Sequence, residues 1–296
     1  MSYKLYVFIT FRHIFVILQM SIFNDAIHNK GVIYTMQEKV SLSVKITSLI
    51  RVFISFIIIG IGAFVFAPLF LICLPLRGIR IKLGNIYGHI IGRIVLFAIG
   101  MRATVIHRER IQEYFPAIYL SNHSTALDPL IAIWICPTNG CGIAKKEIAH
   151  VPFFGQIYYL AGHLLIDKSN PEQAIASLNE SVDLIKKYNL SLWIWPEGTR
   201  SVTGRMLPLK KGFAHLAIAS GLPIVPIVVR NGHKRWPAKT YHLYPGEYEI
   251  EILPKVDTSH WTKETLNDHI AEIQQIYNDA LPEEQRLLVN IDKDLS

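Results

Sequence analysis

Cysteine is scarce in this chain, with Cys73, Cys136 and Cys141 the only three among 296 residues. Their spacing forms neither a disulfide framework nor a metal-binding pattern, and all three read as small core residues suited to a reducing compartment. Charge is sparse as well. Asp, Glu, Lys and Arg make up 18% of the chain, below the soluble norm of about 25%, while hydrophobic residues reach 51%. That balance fits a membrane-attached globular protein better than a free cytosolic one. There is no GxSxG elbow, which removes the usual serine-hydrolase architecture, and Cys141 has no evident base partner. The chain carries no internal repeat and no low-complexity tract. Most of it after residue 100 is mixed sequence, which excludes a multi-span transporter.

The formal charge is +7 and it is unevenly placed. Arg77, Arg80, Lys82, Arg93, Arg102, Arg108 and Arg110 face only Glu109 over that stretch, whereas the tail from Lys263 is acidic. A basic collar beside an apolar segment favours anionic lipid headgroups, at roughly 1 kcal/mol per charge near the surface. Nucleic acid is the other reading of a basic chain, but no nucleic-acid motif accompanies the charge, so no nucleic-acid partner is expected.

Val52 to Leu76 is an uncharged apolar run bounded by Arg51 and Arg77. As one helix it would cross a bilayer, since about 20 apolar residues suffice. Pro68 and Pro75 also allow a kinked helix or a helical hairpin. Leu5 to Phe23 is apolar too, though Arg12, His13 and Gln19 interrupt it. It reads as a second membrane helix, as an uncleaved signal-like segment, or as sequence upstream of a translation start at Met36.

From about His89 the pattern becomes α/β. The segments 103–107, 117–121, 163–166, 190–195, 222–229 and 248–253 read as strands. Between them lie helices over 129–134, 151–160, a stretch opened by Asn170 and Pro171, and 211–219. A last amphipathic helix carries Leu266, Ile270, Ile273, Ile276 and Tyr277. Strands alternating with helices predict a mostly parallel or mixed sheet covered on both faces.

Two constellations carry chemistry. The first, Ser121-Asn122-His123-Ser124-Thr125-Ala126-Leu127-Asp128-Pro129, follows an apolar strand directly. Five positions apart on one straight helix, His123 and Asp128 would diverge by about 140°. A turn removes that obstacle and lets the carboxylate fix one imidazole tautomer. Asp128 before Pro129 is also a natural helix cap, so capping alone is the plainer reading of this motif taken singly. The second, Trp195-Pro196-Glu197-Gly198-Thr199-Arg200-Ser201, also follows a strand. Its guanidinium and two hydroxyls in a Gly-containing turn suit a phosphate. An ordinary turn with a surface ion pair is the alternative.

Together the two motifs, NHSTALDP and PEGTR, resemble the glycerolipid acyltransferases typified by 1-acyl-glycerol-3-phosphate acyltransferase. The resemblance extends in order through Ala144-Lys145-Lys146-Glu147, Val151 to Gly155, Gly162 to Lys168, Leu209 to Phe213 and Leu222 to Pro226, covering roughly residues 85 to 255. It implies a glycerolipid acyltransferase fold and an O-acyltransferase in which His123 is the general base on the acceptor hydroxyl and Asp128 orients it. The acyl group would come from acyl-CoA or acyl-acyl carrier protein as co-substrate, with no cofactor, metal or acyl-enzyme. The acceptor implied is lysophosphatidic acid or a related lysophospholipid, its phosphate held by Lys168 and Arg200, with Glu197, Gly198 and Thr199 completing the turn and Lys145 a further candidate. Two positions depart from the family pattern. Lys168 stands where arginine is usual and keeps the charge without the bidentate fork. Trp195 replaces the common phenylalanine and reads as a packing variation.

The resemblance also orders the chain. Residues 1–35 are an apolar extension, 36–84 a membrane-anchoring segment, 85–258 the catalytic domain, and 259–296 an amphipathic helix and tail. The enzyme is expected at a membrane with its catalytic domain facing the cytoplasm, the inner membrane if the source is bacterial. Two other readings stay open at this point: an acyltransferase for another lysophospholipid or lyso-aminolipid, and a non-catalytic membrane-anchored lipid-binding protein.

Overall fold

The computed structural model describes residues 40–145, 153–166 and 181–288. The apolar extension over 1–35, Lys168 and the Asn170-Pro171 helix start lie outside these residues.

Helix α1, Leu42–Ile72, opens at Ser41, whose hydroxyl accepts the Val44 N–H at 3.4 Å. Its 31 residues span about 46 Å. The helix continues through Pro68 and stops where Pro75 restricts Leu74 and offers no N–H of its own. The apolar run is thus one continuous helix, and the more polar helix α2, Arg77–Ala98, returns along it. Only one stripe of α1 is buried: Ser48, Ser55, Gly62, Ala63 and Phe70, close to every seventh residue. That period keeps one seam against the same neighbours for the length of the helix. Gly62 lets the two helices close, because a Cβ there would stand 2.5 Å from the Ile91 side chain. Ser48 ties the beginning of α1 to a distant part of the chain, its hydroxyl accepting the Leu243 N–H at 2.8 Å. Phe53, Ile57, Ile61, Phe64 and Val65 face outward.

Beyond these two helices come β1 (Met101–Ile106), α3 (Arg110–Glu113), β2 (Ile118–Ser121), α4 (Asp128–Ile135), β3 (Gly140–Lys145), α5 (Phe154–Leu160), β4 (Leu164–Ile166) and β5 (Ser191–Ile194). They are followed by α6 (Gly212–Ser220), β6 (Ile224–Arg230), α7 (Gly232–Arg235), β7 (Gly246–Ile252) and α8 (Leu266–Ala280). The seven strands form one mixed sheet in the order β1-β7-β6-β2-β5-β3-β4. All neighbours are parallel except β6 and β7. Side chains alternate across it. Ile118, Leu120 and Leu192 pack with α6 and α8 on one face. Tyr119, Trp193 and Ile227 pack with Leu127 and Ile131 on the other. Helix α2 lies close on α4, and a Cβ at Gly88 would stand 2.8 Å from the Ile133 carbonyl oxygen.

Three sequence expectations change. Strand β3 was not anticipated, because GCGIAK has two glycines and little β-branched character. It forms by pairing with β4 and β5, and it needs glycine at 142, where a Cβ would stand 2.7 Å from the Tyr158 hydroxyl. The basic collar is only partly on the surface, with Arg77, Arg80 and Arg110 half-buried and tied to backbone carbonyls. Arg77 donates to the Gly162 carbonyl, Arg80 to that of Leu160 and Arg110 to that of Ile252, while Arg108 lies over the Trp134 ring. Lys82, Arg93 and Arg102 remain on the surface. Finally, α4 starts one residue earlier than expected, with Leu127 already helical at φ −74°, ψ −20°. Asp128 is therefore its first residue, and its carboxylate turns away from the helix amides.

Candidate active site

Strands β2, β5, β3 and β4 are consecutive and parallel, so their carboxyl ends open on one edge of the sheet. Three sequence motifs lie at that edge: His123 and Asp128 after β2, residues 195–201 after β5, and Lys145 at the end of β3, while β4 ends there at Ile166. Loops beyond the carboxyl ends of parallel strands are where α/β sheets gather reactive groups.

His123 Nδ1 lies 2.6 Å from Asp128 Oδ2. The same oxygen accepts the Thr125 N–H at 3.1 Å, and the Asp128 side chain is 1% exposed against 12% for His123. The turn between β2 and α4 thus brings together the two groups that a continuous helix would separate. With Nδ1–H donating to the carboxylate, Nε2 carries the free lone pair. The arrangement can accept a proton from a hydroxyl and stabilise the imidazolium that results.

The residues after β5 grip the backbone of His123. Glu197 Oε1 accepts the His123 N–H at 2.5 Å, and Glu197 Oε2 accepts the Leu207 N–H at 2.7 Å. The Ser201 N–H donates to the His123 carbonyl at 2.8 Å. Glu197 is buried, and both its oxygens point to backbone amides rather than outward. Burial pushes its pKa up to about 8, while the two amides and Asp128 act as smaller influences. Gly198 adopts φ +72°, the left-handed region that lets this turn reverse. Gly198 and Thr199 are exposed, and Arg200 is half-buried, its buried Nε without a hydrogen-bond partner among the described residues. Trp195, expected as a packing variation, stacks on the imidazole.

The structure thus brings His123, Asp128, Glu197, Gly198, Thr199 and Arg200 together. Lys145 ends β3 paired in register with Ile166, so it stands beside the strand that leads to Lys168. Sequence reasoning missed Asn122, whose side chain clamps the Val229 backbone through bonds of 2.7 and 3.0 Å. Its only signal was its place beside His123. Among the described residues, no group of three His, Cys, Asp or Glu side chains is placed to hold a metal. Cys141 offers no thiolate nucleophile, because burial pushes its pKa up to about 11.

A His–Asp pair thus lies at the carboxyl edge of an α/β sheet, with the long apolar helix α1 and its partner α2 alongside. Residues 102–230 match the Acyltransferase family model. The chain is 39% identical over 251 residues to the 1-acyl-sn-glycerol-3-phosphate acyltransferase of Limnanthes alba, covering 85% of this chain and 89% of that protein. It is 34% identical over 198 residues to the enzyme of that name from Escherichia coli (strain K12), covering 67% and 79%. The crystal structure of the 1-acyl-sn-glycerophosphate acyltransferase from Thermotoga maritima shares the fold, with a TM-score of 0.64 at 21% identity over 78% of this chain and 94% of that one. The chain belongs to the 1-acyl-sn-glycerol-3-phosphate acyltransferase family.

Proposed function

We propose that the protein transfers a fatty acyl group from acyl-CoA or acyl-acyl carrier protein to the sn-2 hydroxyl of 1-acyl-glycerol-3-phosphate, giving phosphatidic acid. The observation that carries the reading is the 2.6 Å contact between His123 Nδ1 and Asp128 Oδ2. His123 Nε2 takes the proton from the acceptor hydroxyl as its oxygen attacks the thioester carbonyl. The tetrahedral intermediate expels the thiolate, and the imidazolium returns the proton to that sulfur. Asp128 holds the ring in the productive tautomer throughout. Arg200, whose buried Nε has no partner among the described residues, and Lys168 are the acceptor's phosphate ligands in this reading, with Lys145 a further candidate.

Helix α1 is long and apolar enough to cross a membrane, and little of its most apolar stretch is buried. Its buried stripe runs against α2 and the catalytic domain, which supports attachment through its outward face with the active-site edge held near the lipid surface. The acceptor and product are bilayer amphiphiles and the donors are cytosolic, so the catalytic domain faces the cytoplasm.

The test offers purified protein a panel of lysolipids with both donor types and identifies products by mass. Phosphatidic acid from lysophosphatidate is expected, and His123→Ala should reduce its formation by about 10²–10⁴-fold with the protein still folded and membrane-bound. An alanine variant retaining more than about a tenth of the activity would remove His123 from the base role.

A further inference from the structure

The segment after α8 lies outside the region matched by the family model, yet it reaches the reaction centre through hydrogen bonds. A 3₁₀ turn at Glu283–Gln285 folds back from the end of α8, and Gln285 is fully buried. Its main chain begins one route. The Gln285 carbonyl accepts the Met206 N–H at 2.8 Å. The next residue's N–H, that of Leu207, donates to Glu197, whose other oxygen accepts the His123 N–H.

Its side chain begins a second route. Gln285 Oε1 accepts the Asn231 N–H at 2.7 Å, and Nε2 donates to the Val229 carbonyl at 3.4 Å. That carbonyl also accepts from Asn122 Nδ2 at 3.0 Å, and the Val229 N–H donates to Asn122 Oδ1 at 2.7 Å. The two routes end on adjacent residues, Asn122 and His123. Helix α8 adds a third contact in the same direction, since the buried Tyr277 hydroxyl donates to the Leu120 carbonyl at 2.6 Å.

We propose that Gln285 is a positioning residue for acyl transfer, bracing from the far end of the chain the turn that presents His123. The proposal rests on the reading of His123 as the base. A glutamine amide suits the position because it offers one acceptor and one donor to a backbone N–H and a backbone carbonyl. Glutamate keeps the acceptor and supplies the donor only while protonated. Reactive geometry is sensitive to small displacements, and a misplacement near 1 Å costs on the order of 100-fold. The main-chain route survives any side-chain change, so the loss on substitution should be partial and should fall on turnover, because Arg200 and Lys168 are untouched.

The experiment measures kcat and KM for lysophosphatidate and acyl-CoA in wild type, Gln285→Ala, Gln285→Glu and His123→Ala, each checked for folding in the same detergent. Gln285→Ala should lose roughly tenfold or more in kcat with both KM values within about twofold. Gln285→Glu, expressed as a ratio to wild type at each pH, should be impaired near about pH 9. It should recover toward about pH 6, because a buried carboxyl keeps its proton well above the usual range. Wild-type kcat in Gln285→Ala, a loss confined to KM, or a flat Gln285→Glu ratio would overturn the proposal. If the alanine variant does not fold, the glutamate ratio decides alone. A dead His123→Ala beside an unimpaired Gln285→Ala refutes only the bracing role. An active His123→Ala refutes the base itself.

Discussion

The indole of Trp195 lies face to face with the imidazole of His123, ring centroids 4.8 Å apart and planes inclined by 21°. With Asp128 fixing the ring edge and Trp195 covering one face, the imidazole has little freedom to rotate. The stacking also has an electronic consequence. When His123 takes a proton, the cation forms over an aromatic face, and such contacts stabilise by about 0.5–2 kcal/mol, most for tryptophan.

Trp195→Ala should therefore lower kcat by roughly 2- to 30-fold with little change in KM for either substrate. Trp195→Phe, the residue common in the family, should lose less. Steady-state kinetics on folded variants check this, and an alanine variant with wild-type kcat would show that the stacking is packing alone.

His163 gives the fold an acid limit. Its Nδ1 accepts the Gly142 N–H at 3.3 Å, and its ring packs 4.6 Å from that of Tyr158. Burial, with a smaller contribution from Arg77, pushes its pKa from 6.5 down to about 4. The unfolded chain thus binds this proton more readily than the folded one. The stabilisation is complete above about pH 6.5 and is lost as pH falls toward about 4. Thermal unfolding midpoints should fall over that window, and the fall should be shallower in His163→Gln, which keeps an acceptor and does not titrate. Parallel curves for the two proteins would assign the acid sensitivity to other groups.

Much of this is legible in the sequence. The strands at 117–121 and 190–195 and the turns following them were readable because apolar runs end abruptly in polar, Gly- or Pro-containing segments. What was not legible depends on neighbours distant in sequence. Strand β3 is held by its pairing with β4 and β5, and its two glycines are required because Tyr158 and Cys136 leave no room for side chains at Gly142 and Gly140. Arg77 and Arg80 read as surface charges until the carbonyls of Gly162 and Leu160, which they satisfy, are in place. Glu197 read as part of a ligand turn. Its two backbone partners, His123 and Leu207, meet only once the sheet has formed.

The last prediction concerns the acceptor's phosphate. Arg200 follows β5, the strand beside the one that leads to His123, and its buried Nε has no partner among the described residues. Strand β4, which ends two residues before Lys168 in the sequence, lies two strands further out than β5, roughly 10 Å away in the sheet. A terminal phosphate monoester carries nearly two charges and can engage both cations. A phosphocholine group carries one, offset by a bulky ammonium. Charge-assisted hydrogen bonds contribute about 1.5–3 kcal/mol each, so the pair can discriminate by a hundredfold or more. Arg200→Ala should lower kcat/KM for lysophosphatidate by at least about tenfold and for lysophosphatidylcholine much less, narrowing the gap between the two acceptors. Lys168→Arg should be tolerated, because it restores the common family residue and adds a bidentate fork. The measurement is kcat/KM for both acceptors in wild type and both variants at fixed detergent and salt. Equal use of the two acceptors by wild type, or full preference retained in Arg200→Ala, would place the phosphate away from the turn that follows β5.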